Sequence, residues 1–271
     1  MSWLGLEDRV AVVTGGAMGI GKAICEGFAE CGIKIAIADI SEEAGLKIID
    51  ELKGKFGGEY IFVKTDVSSS KDVANLVKTT VEKFGKIDIL VNNAGITIPR
   101  LLVDPAGKEE LTEDIWDKTM RINQKGYFFC AQAAAKAMLK QKKGVIINLA
   151  SESGMEGSEG QSSYAATKAA TYSMTRSWAK ELGKHGIRIV GVAPGILEAT
   201  ALRSPEYERA LAYTRGITVE QLRAGYEKVS IPIGRAGKLC EVANLICFLA
   251  SDRAEYIHGT TVNISGGKSR T

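Results

Sequence analysis

The segment from Val10 to Gly21, VAVVTGGAMGIG, decides the fold. Its first five residues form an apolar, β-branched run, which predicts a strand over residues 10–14. Gly15, Gly19 and Gly21 follow, and a helical pattern begins at Gly19. A glycine turn between a strand and a helix lets the backbone approach a pyrophosphate, whose charge the helix N-terminus stabilises. The segment therefore predicts a dinucleotide-binding turn, with an ordinary tight turn as the alternative.

The same strand-to-helix alternation continues along the chain. Seven apolar runs predict strands at 10–14, 34–38, 60–64, 87–91, 144–149, 187–192 and 261–264. Helical patterns lie between them at 19–31, 42–56, 71–84, 113–141, 163–184 and 239–250. Most of these strands are apolar throughout, which is typical of strands covered on both faces. We therefore predict an α/β fold with a doubly wound parallel sheet, in one domain over residues 1–271.

Composition excludes several classes of function. The 35 Lys and Arg against 32 Asp and Glu leave a net charge of +3, too balanced for a nucleic-acid or membrane-surface partner. No apolar stretch approaches the ~20 residues of a membrane helix, and the start, MSWLGLEDRVAVV, does not match a signal peptide. Five scattered Cys and two His predict free thiols and no metal site. We expect a cytoplasmic protein without metal.

Asp39 closes the second predicted strand, 18 residues after Gly21. A carboxylate there accepts hydrogen bonds from adenosine ribose hydroxyls and repels a 2′-phosphate. Its alternative role is helix capping, because the Ser41 segment also looks like a helix start. Ile40 and Met18 supply no cation for a second phosphate. This pattern predicts NAD as the cofactor rather than NADP.

Tyr164 and Lys168 stand four residues apart in a helical pattern, so they project from one face. A phenol has a pKa of about 10, and a nearby ammonium favours the phenolate. Tyr164 is therefore a candidate acid or base for an alcohol or a carbonyl, and a surface Tyr–Lys pair is the alternative.

Two further polar residues favour a catalytic role for Tyr164 over a surface Tyr–Lys pair. Ser151 follows the strand at 144–149, at the ligand-binding edge of the sheet, with Ser153 as the local rival. Asn123 is a poor helix former inside the predicted helix at 113–141. It predicts either a polar kink that holds a water molecule or a solvated side chain.

The connection over residues 195–238 breaks the alternation, because it holds no predicted strand and only two or three short helices. Long connections in compact domains are usually lids or binding loops, and this one leaves the ligand edge. Five of twelve Arg fall within 201–235, against about 1.5 expected from even spacing: Arg203, Arg209, Arg215, Arg223 and Arg235. Arg suits phosphate oxygens. Pairing on a solvated helix face with Glu206, Glu208, Glu220 and Glu227 explains the cluster equally well.

Together these motifs resemble the short-chain dehydrogenase/reductase family along essentially the whole chain. The order and spacing that carry the resemblance are those of TGGAMGIG, Asn92-Asn93-Ala94-Gly95, Asn123, Ser151, Tyr164, Lys168 and Pro194-Gly195. The resemblance implies a Rossmann-type domain of seven strands, usually in a homotetramer. It implies hydride transfer between a nicotinamide and an alcohol or ketone.

The resemblance also assigns roles to residues. Tyr164 would be the acid/base, Lys168 its pKa-lowering partner and a ribose ligand, and Ser151 the group that orients the substrate. Asn123 would hold a proton-relay water. The implied cofactor-binding residues are Gly15, Met18, Gly19, Ile20, Gly21, Asp39, Asp66, Val67, Asn93, Ala94, Gly95, Tyr164, Lys168, Pro194, Gly195, Ile196 and Thr200.

Parts of the cofactor are assigned by the same resemblance. Asp66 and Val67 would contact the adenine, Asn93 the adenosine ribose, and residues 194–196 the nicotinamide. The family commonly places Thr five residues after the Pro of Pro-Gly, where this chain has Ala199. Thr200 comes one residue later, which leaves its carboxamide contact open.

The segments 194–226 and 261–270 resemble family members that oxidise phosphorylated polyols with NAD. A sugar-phosphate substrate is implied, with Arg203, Arg209, Arg215 and Arg223 as candidate phosphate ligands. The alternatives are a dehydrogenase of unphosphorylated polyols and a 3-oxoacyl-carrier-protein reductase, which usually uses NADPH and is opposed by Asp39. A nucleotide sensor without catalysis is a third alternative, opposed by the intact set of Ser151, Tyr164 and Lys168.

Overall fold

The parallel sheet has the seven predicted strands. A computed structural model describes residues 3–200, 203–227 and 231–269. The strands are β1 (Val10–Thr14), β2 (Lys34–Asp39), β3 (Tyr60–Lys64), β4 (Ile89–Asn92), β5 (Gly144–Leu149), β6 (Ile187–Pro194) and β7 (Thr261–Ile264). They pair in parallel in the order β3-β2-β1-β4-β5-β6-β7. The order reverses between β1 and β4, where open sheets of this kind bind ligands at the carboxyl ends of the strands.

Helices connect the strands and cover both faces of the sheet. They are α1 (Gly19–Glu30), α2 (Glu42–Phe56), α3 (Ser70–Phe84), α4 (Glu113–Met120), α5 (Gly126–Gln141), α6 (Ser153–Glu156), α7 (Ser162–Leu182), α8 (Pro205–Thr214), α9 (Val219–Glu227) and α10 (Leu239–Ala250). Within the described ranges, none of them is both long and apolar enough to span a bilayer.

Alternate residues of β1 enter two separate cores. Val13 of β1 packs in one core with Phe28 of α1 and Ile246 of α10. Its neighbour Val12 lies in the other core with Met138 of α5. Because side chains alternate between the faces of a strand and both faces are covered, the strands need apolar residues at every position.

The helix predicted over residues 113–141 is three elements. A π-helical turn, Arg121–Lys125, separates α4 from α5 and contains Asn123. Such turns occur often at functional sites. β4 also begins two residues later than predicted, because the amide group of Gln141 pairs with both backbone polar groups of Ile87.

The insertion predicted over residues 195–238 contains α8 and α9. Leu211, Ala212 and Leu222 give these two helices a small core of their own. The insertion is fastened to the main body where the Tyr213 phenol donates to both carboxylate oxygens of Asp104, at 3.0 Å each. Ala201, Leu202 and residues 228–230 lie outside the described part of the chain, as does the side chain of Glu227.

Candidate active site

A cavity of about 860 Å³ lies at the carboxyl ends of the strands. Its size is within the 300–1,000 Å³ typical of small-molecule sites. One end is lined by the turn after β1 and by residues at or just after the ends of β2, β3 and β4, such as Asp39, Asp66 and Asn93. The other end is lined by the segment around Tyr164 and by the insertion. We call these the cofactor end and the substrate end.

The glycine turn at the cofactor end depends on the absence of side chains. Gly15 and Gly19 have φ of 61° and 53°, in the left-handed region that favours glycine. A Cβ on Gly21 would lie 1.9 Å from the carbonyl oxygen of Gly15. Met18 precedes α1 without capping it through its side chain, so the first N–H groups of α1 are left for a ligand. The turn therefore fits the pyrophosphate of a dinucleotide.

Asp39 fastens the end of β2 to this turn. Its side chain is buried and lines the cavity. One carboxylate oxygen accepts from the backbone N–H of Ala17 and the other from that of Ser41, both at 3.1 Å. Ser41 itself caps α2 by accepting from Ala44. Asp39 is thus not the helix cap, and its carboxylate keeps lone pairs for further donors.

Asn93 fixes the loop after β4 against the same turn. Its side-chain amide donates to the carbonyl oxygens of Thr14, at 2.9 Å, and Gly15, at 3.1 Å. The structure places nearly all the sequence-predicted cofactor residues in the cavity lining: Gly15, Met18, Gly19, Ile20, Asp39, Asp66, Val67, Asn93, Ala94, Gly95, Tyr164, Lys168, Pro194, Gly195, Ile196 and Thr200. Gly21 packs behind the lining, against Gly15.

Ser151, Tyr164 and Lys168 meet where the two ends of the cavity join. The Ser151 hydroxyl lines the cavity together with Tyr164 and interacts with its phenol. It also accepts from the hydroxyl of Ser153 at 2.9 Å, so Ser153 supports Ser151 from behind. The Lys168 Nζ lies 5.6 Å from the centre of the Tyr164 ring and donates to the carbonyl oxygen of Leu149 at 2.6 Å.

Burial governs the proton affinities of this pair. It raises the pKa of Tyr164, against a lowering by the Ser151 hydroxyl, and the Glu152 charge raises it further. Burial also lowers the pKa of Lys168 to about 7. The direction for Tyr164 is opposite to the sequence-based expectation. Burial thus disfavours the charged form of both groups.

Asn123 is buried and holds three segments together. Its amide oxygen accepts from the backbone N–H of Ile96 and its amide nitrogen donates to the Ile96 carbonyl, both at 2.8 Å. The nitrogen also donates to the hydroxyl of Thr167 on α7 at 3.2 Å. The solvated alternative is therefore wrong, since the side chain is 1% exposed. Its role in holding a water molecule stays a prediction.

Two of the candidate phosphate ligands line the substrate end. The Arg203 guanidinium donates to the carbonyl oxygen of Leu197 at 2.5 Å and lies 4.1 Å over the ring of Tyr226. Arg215 lies 3.4 Å from the hydroxyl of Ser158. Within the described ranges, neither guanidinium forms an ion pair with a carboxylate, and both line the cavity.

The remaining Arg of the cluster pair with carboxylates outside the cavity lining. Arg209 pairs with Glu206 at 3.0 Å on the exposed face of α8. Arg223 of α9 makes two bonds to one carboxylate oxygen of Glu208, at 2.6 and 3.1 Å. Arg235 pairs with Glu241 of α10. Glu pairing, one of the two alternatives for the cluster, thus applies to Arg209, Arg223 and Arg235. Phosphate binding stays a prediction for Arg203 and Arg215.

Sequence reasoning missed several residues of the substrate end. Gln161 donates to the Thr97 hydroxyl at 2.8 Å and to the Tyr207 phenol of α8 at 3.0 Å, joining three segments around the cavity. Its position three residues before Tyr164 was the available signal. Glu152 and Lys268 also line the cavity and pair at 2.7 Å. Each follows a strand that ends at the ligand edge.

Comparisons with known proteins agree with this geometry. The family model described as short chain dehydrogenase matches residues 9–210. The chain belongs to the short chain dehydrogenase family. The sorbitol-6-phosphate 2-dehydrogenase of Klebsiella pneumoniae is 56% identical over 272 residues, which cover 99% of each chain. A 3-oxoacyl-[acyl-carrier-protein] reductase of Thermotoga maritima is 40% identical over 97% of this chain and 98% of its own.

The fold of this short chain dehydrogenase is shared with solved structures. The crystal structure of levodione reductase matches with a TM-score of 0.85 and 33% identity, covering 96% of this chain and 97% of that one. The predicted Rossmann-type α/β fold is therefore confirmed, as is the family. Membership implies a nicotinamide cofactor, which the glycine turn and Asp39 fit.

Proposed function

We propose that the protein is an NAD-dependent sorbitol-6-phosphate 2-dehydrogenase that interconverts D-sorbitol 6-phosphate and D-fructose 6-phosphate. The observation that carries the proposal is the pair Arg203 and Arg215, two cations at the substrate end that form no ion pair among the described residues. A dianionic substrate group supplies the missing partner, because guanidinium binds phosphate oxygens strongly. The 56% identity to the Klebsiella pneumoniae enzyme supports the same substrate.

The choice of NAD rests on Asp39. Its carboxylate lines the cofactor end, where it would accept hydrogen bonds from the adenosine ribose and repel a 2′-phosphate. Ile40, next to it, is exposed and uncharged, so no cation compensates at that position. When bound, the nicotinamide supplies the chemistry of taking or giving a hydride at the reacting carbon.

Proton transfer falls to Tyr164, because its phenol faces the cavity beside Ser151. In the reducing direction, the phenol donates its proton to the carbonyl oxygen of the substrate, and in the oxidising direction it takes the hydroxyl proton. The Ser151 hydroxyl orients the reacting oxygen. Lys168 anchors this end of α7 by donating a hydrogen bond to the carbonyl oxygen of Leu149, and it is the second titratable group beside the phenol.

The phosphate is held by Arg203 and Arg215, at a distance from the reacting carbon. Tyr226 supports the Arg203 guanidinium by stacking, which orients it at little entropic cost. Gln161 joins α8 to the segment that precedes Tyr164. Binding of the phosphate by the insertion is thereby coupled mechanically to the position of the reacting groups.

The direct test is a substrate and cofactor panel. With NAD, we expect kcat/KM for D-sorbitol 6-phosphate to exceed that for D-sorbitol by at least about tenfold, the lower bound for one charged hydrogen bond. NADP should be used at least about tenfold less well. Equal use of both alcohols would reject the phosphate assignment. Preferential reduction of an acyl-carrier substrate with NADPH would favour the activity of the Thermotoga maritima relative.

We also propose that the protein is a homotetramer and works in the cytoplasm. The family resemblance supports the tetramer, and the balanced charge and free thiols support the location. Sedimentation equilibrium should give four times the chain mass of 29.0 kDa. A monomer at micromolar concentration would reject the tetramer.

A further inference from the structure

The carboxylate of Glu152 lies in the wall of the substrate end, directly after Ser151. Its backbone N–H donates to the carbonyl oxygen of Pro194 at 3.1 Å. A Cβ on Gly195 would lie 3.0 Å from Oε2 of Glu152, so glycine at position 195 leaves room for the carboxylate. The Glu152 charge also raises the pKa of the Tyr164 phenol.

The two oxygens of this carboxylate have different environments. Oε1 accepts from the Nζ of Lys268 at 2.7 Å, with the two side chains 12% and 23% exposed. Oε2 is closed to solvent and has no hydrogen-bond donor among the described residues. A buried ionised oxygen without a donor costs free energy, because the hydrogen bonds it made to water are not replaced. The site therefore holds a charged acceptor that one more donor would satisfy.

A polyol substrate brings such donors. Its reacting carbon is flanked by carbons that carry hydroxyl groups, whereas a simple ketone or a 3-oxoacyl thioester has none beside the carbonyl. The last side-chain torsion of Glu is soft, so the carboxylate can turn Oε2 toward the cavity at small cost. Lys268 holds the group in place from the side of β7.

We propose that Glu152, held by Lys268, is a specificity-determining residue that accepts a hydrogen bond from a substrate hydroxyl on a carbon adjacent to the reacting carbon. The inference rests on the proposed function for the identity of the polyol. It assigns to Glu152 the selection of hydroxylated substrates, while Arg203 and Arg215 select the phosphate. The other role open to the pair is to fasten the segment after β7 without touching substrate.

The experiment removes the hydroxyl from the substrate and the carboxylate from the protein in turn. NADH-dependent reduction is measured for D-fructose 6-phosphate and for its 1-deoxy and 3-deoxy analogues. Wild-type protein should lose about ten- to hundredfold in kcat/KM for one analogue, as expected for a hydrogen bond to a charged group. In Glu152→Ala the same substrate change should cost less than about threefold, because the acceptor is already gone.

Control variants separate this role from a structural one. Glu206→Gln removes an exposed carboxylate that pairs outside the cavity and should keep the wild-type preference. Glu152→Gln keeps the shape of the side chain, so it replaces Glu152→Ala if that variant does not fold. The Kd for NADH, measured by fluorescence, should stay within twofold of wild type in Glu206→Gln, Glu152→Gln and Glu152→Ala. Lys268→Arg should preserve the wild-type preference for D-fructose 6-phosphate over its deoxy analogue, whereas Lys268→Met should weaken that preference.

Different results of these measurements would reject different parts of the proposal. Equal use of all three ketoses by wild-type protein would overturn the role of Glu152, as would an unchanged preference in both Glu152 variants. Equal losses on every substrate would assign the pair to fastening the chain instead. Failure of wild-type protein to reduce D-fructose 6-phosphate at all would reject the proposed function and the inference that rests on it.

Discussion

The two ends of the cavity are built on different principles. The cofactor end is shaped mainly by backbone, at positions such as Gly15 and Gly21 where a Cβ does not fit. The substrate end is shaped by long side chains from distant segments, such as Glu152 and Lys268, 116 residues apart. A steric requirement at a glycine is visible in a short stretch of sequence. The choice of partner by a long charged side chain depends on the tertiary structure.

Tyr164 lies where the two ends meet, so its removal should have the largest effect on turnover. Tyr164→Phe deletes the proposed proton carrier and leaves the ring packing intact. We expect kcat to fall about 10²–10⁴-fold, the usual contribution of a general acid or base, with NADH binding unchanged. Steady-state kinetics and an NADH titration measure the two quantities. A variant that keeps more than a tenth of the wild-type rate would place the acid elsewhere.

Substitution of Lys168 should have the next largest effect, and this effect is on the free energy of unfolding. Its pKa falls from 10.5 in the unfolded chain to about 7 in the folded protein. Between these values the unfolded state binds more protons, so this group makes the protein more stable as pH rises. Relative to Lys168→Met, wild-type protein should gain on the order of a few kcal/mol between pH 7 and pH 10.

Urea unfolding of both proteins at several pH values measures this difference. The comparison with the Met variant cancels the contributions of other titrating groups, since both proteins share them. A difference in unfolding free energy that stays flat from pH 7 to pH 10 would show that Lys168 keeps its proton in the folded protein.

Two pairs of Arg residues in the insertion should differ in their effect on activity. Arg203→Ala and Arg215→Ala should each lower kcat/KM for D-sorbitol 6-phosphate about ten- to hundredfold, because each removes a charged contact to the phosphate. Arg209→Ala and Arg223→Ala are the matched controls and should stay within about threefold, since these side chains pair with Glu206 and Glu208. The reverse pattern would move the phosphate to the outer face of α8 and α9.

Asp39 gives the smallest expected effect, confined to the cofactor end. Asp39→Ala should reduce the preference for NAD over NADP by about tenfold, or ~1.4 kcal/mol, because it removes the repulsion of the 2′-phosphate. The ratio of kcat/KM values for the two cofactors measures it. The preference for D-sorbitol 6-phosphate over D-sorbitol should not change. A change in that substrate preference would contradict the separation of the two ends.

The sequence was most informative where local sterics and periodicity act. Apolar runs predicted all seven strands, and the glycine spacing predicted the turn that begins α1. The sequence offered a kink at Asn123 as one of two alternatives. It could not give the π-helical form of the turn, which accompanies side-chain bonds to Ile96 and Thr167 from other segments. Glu152 and Lys268 were missed for the same reason, since neither belongs to a motif and only the fold brings them together.

In the proposed function, the phosphate and the reacting carbon are recognised by different residues, with Arg203 and Arg215 serving only the phosphate. The most direct measurement is the ratio of kcat/KM for D-sorbitol 6-phosphate to that for D-sorbitol, in wild-type protein and in the Arg203→Ala/Arg215→Ala double variant. We expect a wild-type ratio of at least about ten that falls to within threefold of one in the double variant, with the rate on D-sorbitol unchanged. A ratio that survives the double substitution would contradict this expectation.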